Sequence, residues 1–179
     1  MLGLLPGTAL GHARWRPAVW LGSGLLALLG LLDAAATQIE TATVTYVADG
    51  DTLYVRGIGQ EQQAVRLLGI DAPEICQEGG PTSRQALQSL LLGQSVTVAR
   101  QGQDTYGREL AIVYWQGQDV GRWMVGQGLA WSYQFGRDAG PYAREQAAAR
   151  SARLGLFAQA DPQPPHRFRR RHGSCKTSP

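Results

Sequence analysis

Nine residues, Arg66 to Glu74 (Arg-Leu-Leu-Gly-Ile-Asp-Ala-Pro-Glu), constrain this chain more than any other stretch. A guanidinium opens them, an apolar run follows, and two carboxylates close them on either side of a proline. Pro73 pushes Ala72 to extended backbone, so no helix runs through Asp71 and Glu74. The apolar run reads as a buried strand, and the carboxylates leave its end on a rigid turn, where side chains converge from a fixed scaffold. An arginine buried beside two acids is costly unless the charges pair or meet a metal. The cluster therefore reads as a site, with a purely structural ion pair as the alternative.

The strands around it are read from alternation and from the turns that bound them. Thr41 to Ala48 sets Val44, Tyr46 and Ala48 against Thr43, Thr45 and Val47, Asp49-Gly50 makes a tight turn, and Thr52 to Arg56 continues as the second strand. Ala64 to Ile70 is the third, delivering Asp71. Pro81 or Thr82 starts a helix with Ala86, Leu87, Leu90 and Leu91 on one face, ended by Gly93. Ser95 to Arg100 and Glu109 to Trp115 are strands four and five, joined by the loop Gln101 to Arg108. Val120 to Val125 reads as a short helix, Leu129 to Tyr133 as extended, and Gly140-Pro141 as the opening of a helix through Arg153, stopped by Gly155. Five short strands with a helix between the third and fourth predict an α+β fold, a five-stranded OB-fold barrel with packed helices. The 23 glycines suit such a turn-rich, β-containing domain.

Residues 1–36 read as a targeting segment. Arg14 and Arg16 precede the apolar run Ala18 to Leu32, and Ala34-Ala35-Ala36 supplies a small-residue cleavage site. The expectation is a cleaved signal peptide and a secreted or periplasmic chain from Thr37. The alternative is an uncleaved membrane anchor that holds the domain outside the cytoplasm, because Pro17 to Ala36 approaches the ~20 apolar residues that span a bilayer. The domain is then 37–160, and 161–179 is a Pro- and Arg-rich tail carrying Arg167, Arg169, Arg170 and Arg171. Cys76 and Cys175 are the only cysteines, and an even count in an oxidising compartment is expected to pair. Such a bridge would strap the tail across the rim of the site; two free thiols are the alternative. A formal charge of +3 permits an acidic partner without requiring one. No protein partner is implied, and a monomer is expected.

Three short segments carry the chemistry: Asp49-Gly50-Asp51-Thr52, Asp71-Ala72-Pro73-Glu74 and Asp104-Thr105-Tyr106-Gly107-Arg108. Asp51 and Asp71 are hard oxygen ligands suited to Ca²⁺ or Mg²⁺, with a backbone carbonyl and waters completing the shell. Taken alone, Asp49-Gly50-Asp51 is a plain hairpin turn, and it is not an EF-hand loop. The histidines, His12, His166 and His172, all lie outside the expected barrel and offer no zinc cluster. Two arginines, a metal and a glutamate base suffice in outline for phosphodiester hydrolysis. Tyr106 and Tyr133 are candidates to stack a base or bond a phosphate, core tyrosines being the commoner case.

In this order and spacing, followed by Leu110-Ala111 and Gln127-Gly128-Leu129-Ala130, the three segments resemble the thermonucleases, the staphylococcal-nuclease-like family, over roughly residues 41 to 158. The resemblance implies an OB-fold barrel and a Ca²⁺-dependent nuclease of DNA and RNA that leaves 3′-phosphates. It implies that Asp51, Asp71 and the Ala72 carbonyl ligate calcium, that Glu74 is the general base, and that Arg66 and Arg108 bind the phosphate. Tyr106 and Tyr133 are the substrate-binding candidates, and Thr105 stands where a lysine would help hold a terminal phosphate. A different class, an OB-fold that binds nucleic acid without chemistry, is disfavoured because all five acidic and arginine positions are present. A third reading is an interaction domain using the tail Arg167 to Arg171, for which a solvated basic segment is the simpler account.

Overall fold

The computed structural model of the chain describes residues 38–57, 59–133 and 138–175. The expected signal or anchor, 1–36, lies outside the described residues. Among the described residues, no helix is long and apolar enough to cross a membrane.

Alternating apolar residues build a closed barrel. Strands β1 (Gln38–Val47), β2 (Thr52–Gly57) and β3 (Gln62–Leu67) pair as an antiparallel meander. On its other side β1 pairs with β5 (Ser95–Gln103), and β5 with β6 (Glu109–Trp115). A parallel pairing of β6 with β3 then closes five strands into the OB-type barrel. Val44, Leu53, Val55, Val65, Leu67, Val98 and Val113 fill the interior, each at most 2% exposed. Helix α1 (Gly80–Leu91) lays Leu87 and Leu91 onto this core, and α2 (Val120–Gly126) adds Met124 and Val125. Burying each such side chain contributes about 1.5–3 kcal/mol.

Two departures from the expected strands have local causes. The β1–β2 register shifts between Val44 and Tyr46, so Val47 rather than Tyr46 turns inward. A bulge adds one residue and so reverses the alternation beyond it. Tyr46 instead packs edge-on against Tyr54 on the outside, with the Arg84 guanidinium over its ring. The predicted third strand is also cut in two. β3 stops at Leu67, Gly69 turns the chain at φ +81°, and β4 (Ile70–Asp71) pairs with β8 (Trp131–Ser132) away from the barrel. A side chain at Gly69 would be strained there and would press on Pro141. That turn swings Asp71 off the barrel wall.

A short β7 (Gln118–Asp119) pairs with β6 ahead of α2. Helix α3 (Ala143–Ser151) starts a few residues later than Gly140-Pro141 suggests, because Tyr142 is buried and bonds Asp119 through its hydroxyl. A 3₁₀ turn, Gly155–Ala158, follows. The tail is not featureless: Pro165–His172 forms α4. Pro165 sits in the first turn, where a missing N–H costs nothing, and no further breaker occurs until Gly173.

The β1–β2 turn, the Asp71 segment and α1 meet at Gly50. A Cβ there would fall 2.7 Å from both Ala72 Cβ and Ser83 Cβ. Gly50→Ala is expected to destabilise the protein by about 1–3 kcal/mol through overpacking, seen as a lower urea midpoint. An unchanged midpoint would mean that the contact yields freely.

Candidate active site

Each charged residue reaches the site by a different element. Asp49 closes the β1–β2 turn, its Oδ1 accepting from the Asp51 N–H at 2.9 Å. That fixes Asp51 at the start of β2, 5% exposed. Asp51 Oδ2 accepts from the Ala72 N–H at 2.7 Å, and Oδ1 accepts from the Thr52 hydroxyl at 3.1 Å. Arg66 stands opposite Thr52 in the β2–β3 ladder and opposite Leu110 across the parallel closure. It pairs with Asp51 through Nη1 and with Asp71 through Nη2, the latter at 3.4 Å. Asp71, 4% exposed, comes from β4.

Arg108 is fixed by the loop before β6. Asp104 Oδ1 accepts from the backbone N–H of Tyr106 and of Arg108, and Oδ2 accepts from Arg108 Nε at 2.8 Å. The remaining Nη1 donates to Thr52 Oγ1 at 3.2 Å, tying this arginine to the Asp51 hairpin. Tyr106 lies under the Arg108 guanidinium and is 83% exposed, so it is no core tyrosine; Tyr133 is 45% exposed.

Asp51, Arg66, Ala72, Glu74, Arg108, Tyr106 and Tyr133 line one cavity of about 680 Å³. Asp71 lines a neighbouring cavity of about 420 Å³ instead. Among the described residues no group of three or more His, Cys, Asp and Glu could hold a metal. Asp51 and Asp71 are the hard oxygen donors that would hold a cation, and Arg66 pairs with both.

Burial and charge set the carboxylates apart. Burial works against ionisation of Asp51, but Arg66 and the Ala72 N–H outweigh it and hold the group below the usual range. Burial raises Asp71 despite the arginines around it. Burial, reinforced by the charge of Asp51, pushes Asp49 up to about 7. Arg66, flanked by these acids, stays charged, its pKa raised in spite of burial.

Two features were not visible as site residues in the sequence. Arg169 of α4 donates to Asp71 and Glu74, and the Cys175 N–H donates to Glu74 Oε2 at 3.2 Å. The Cys76–Cys175 bridge, with Cα atoms 6.0 Å apart, carries the tail there. The Cys175 spacing hinted at the strap, but nothing local singled out Arg169 among four arginines.

A barrel that gathers guanidinium groups and carboxylates at one cavity suits an anionic ester, and comparison with known proteins gives the class. Residues 64–159 match the staphylococcal nuclease homologue family. A protein described as an uncharacterized endonuclease from Haemophilus influenzae is 38% identical over 149 residues, 83% of each chain. A micrococcal nuclease from Shigella flexneri is 37% identical over 139 residues, covering 71% of this chain and 79% of the relative. Protein ParB of Escherichia coli is 35% identical over 156 residues, 81% and 87% of the two chains. The chain belongs to the staphylococcal nuclease homologue family and is a nuclease, a hydrolase of nucleic-acid phosphodiesters.

The raised Asp49 gives a pH prediction with a definite sign. An unfolded Asp releases its proton near pH 4, whereas the folded group keeps it to about 7. Between those values the folded state binds more protons, so stability falls as pH rises. Asp49→Asn preserves the acceptor to Asp51 but not this loss. In chelator, it should gain on the order of 4 kcal/mol over wild type between pH 4 and 8, read by urea unfolding. Parallel pH profiles would contradict the burial argument.

Proposed function

We propose that this nuclease uses Ca²⁺ to cleave both DNA and RNA and leaves 3′-phosphates. In this reading Glu74 is the general base, Arg66 and Arg108 hold the scissile phosphate, and Asp51, Asp71 and the Ala72 carbonyl hold the cation. The observation that carries it is the convergence of Asp51, Arg66, Glu74 and Arg108 on one cavity, with Asp71 sharing Arg66. Relatives described as an endonuclease and a micrococcal nuclease support it.

When bound, the cation would polarise a phosphoryl oxygen and favour charge build-up on the phosphate. The chain's own residues do the rest. Arg66, locked by Asp51 and Asp71, offers a guanidinium that does not have to reorganise as charge develops. Arg108, braced by Asp104 and Thr52, presents its fork from the opposite loop, and Tyr106 and Tyr133 give exposed rings for a base or sugar. Glu74 takes the proton of the attacking water, the P–O5′ bond breaks, the departing 5′-oxygen takes a proton from solvent, and the phosphate stays on the 3′ side. The Cys76–Cys175 bridge supports placing the enzyme in an oxidising compartment, secreted or periplasmic.

Digestion of plasmid DNA and of RNA, with Ca²⁺, with Mg²⁺ or with chelator, tests this reading. Both substrates should be cut with Ca²⁺ and neither in chelator, with Mg²⁺ supporting less turnover because it demands stricter octahedral geometry. Glu74→Gln and Arg108→Lys should each lower kcat on the order of 10²-fold or more, the scale of losing one preorganised donor or base. Full activity in chelator would remove the metal assignment, and near wild-type turnover of Arg108→Lys would remove that arginine from the phosphate.

A further inference from the structure

Helix α4 lies beyond the family-matched segment, which ends at residue 159, yet it reaches into the site. Arg169 donates from Nη1 to Asp71 Oδ1 at 3.1 Å and to Glu74 Oε1 at 3.0 Å. Its Nη2 donates to Asp71 Oδ2 at 3.1 Å. With the Cys175 N–H on Glu74 Oε2, every carboxylate oxygen of both residues accepts a bond from the tail. Arg169 also lines both cavities, while Asp71 lines only the smaller one. The guanidinium thus covers Asp71 from the side on which Asp51, Arg108 and Glu74 open.

The contact is built rather than incidental. Gln77, 6% exposed, donates to the Gln163 carbonyl at 2.7 Å and so pins the segment leading into α4. The Cys76–Cys175 bridge pins the segment leaving it. Arg167, Arg170 and Arg171 of the same helix are exposed, whereas Arg169 turns inward. A bidentate guanidinium–carboxylate fork satisfies Asp71 much as a hard cation would. A dication on Asp71 would sit beside Arg66 and Arg169 together, and like charges so close repel strongly away from bulk water.

We propose that Arg169 is a built-in competitor for the cation. The tail and the divalent ion occupy Asp71 alternately, and the disulfide sets the balance by keeping the guanidinium at high local concentration. This rests on the Ca²⁺ reading above. The apparent cation affinity is then the intrinsic affinity scaled by the fraction of molecules whose tail has lifted. Lifting Arg169 also frees Glu74 Oε1, while the bridged Cys175 stays beside Oε2, so cation binding and partial release of the base are one event.

Calorimetric titration of the chain with Ca²⁺ alone, without nucleic acid, tests the competition. Arg169→Ala should bind Ca²⁺ on the order of tenfold more tightly than wild type. The double variant Cys76→Ser with Cys175→Ser keeps the Cys175-position N–H but loses the tether, and should fall between them. Cys76 is exposed, so its loss leaves the core intact. Amide exchange across residues 165–175 distinguishes competition from a simple change in charge: Ca²⁺ should speed exchange there in wild type. Equal or weaker Ca²⁺ binding by Arg169→Ala would overturn the competition and leave the calcium assignment standing. So would exchange in α4 that Ca²⁺ slows or leaves unchanged. No Ca²⁺ binding by any of the three forms would overturn both.

Discussion

The ion pairs that Arg66 makes with Asp51 and Asp71 set the geometry of the site. Neither aspartate is more than 5% exposed, and the arginine between them is partly buried. Removing one partner of such a set leaves an uncompensated buried charge, typically at a cost of 3–5 kcal/mol, while apolar replacements of similar volume are often neutral or better. A charge cluster of this kind is a poor source of stability. Its value is that the charges stay where they are placed, which is what electrostatic stabilisation of a changing phosphate requires.

The barrel makes that placement possible. Arg66 is central to β3, paired on one side with β2 and on the other with β6 through the parallel closure. A barrel without free edges at this point gives the guanidinium little room to move. The turns then bring the acids to it. Gly50 lets the Asp51 hairpin press on Ala72, and Gly69 takes the chain out of the barrel just before Asp71. Arg108 is braced separately by Asp104, so the two arginines are positioned by independent loops on one rigid frame.

What was legible in the sequence was what is written locally. Period-two alternation marked the first strand, short apolar runs bounded by turns marked the others, and Pro73 marked the turn carrying Glu74. The β1 bulge was illegible because Tyr46 and Val47 are both plausible inward residues until the Tyr54 partner is known. The split at Gly69 was hidden because Leu68-Gly69-Ile70 continues an apolar run. The tail was read correctly as basic but not as helical, since the clustered prolines that end it as a coil also begin α4. Arg169 could not be singled out at all. Its contacts with Asp71 and Glu74 span 98 and 95 residues, and only the fold brings them together. The raised Asp49 likewise depends on burial that a turn dipeptide does not announce.

In this reading the buried cluster serves chemistry and not folding. The direct measurement is the thermal stability, in chelator, of Arg66→Met combined with Asp51→Asn and Asp71→Asn, which remove the buried charges together and keep acceptors for the Ala72 N–H and for Arg169, set beside its nuclease activity. The variant should fold with a midpoint equal to or above wild type and with activity abolished. A protein that loses several kcal/mol of stability, or one that keeps cutting nucleic acid, would contradict it.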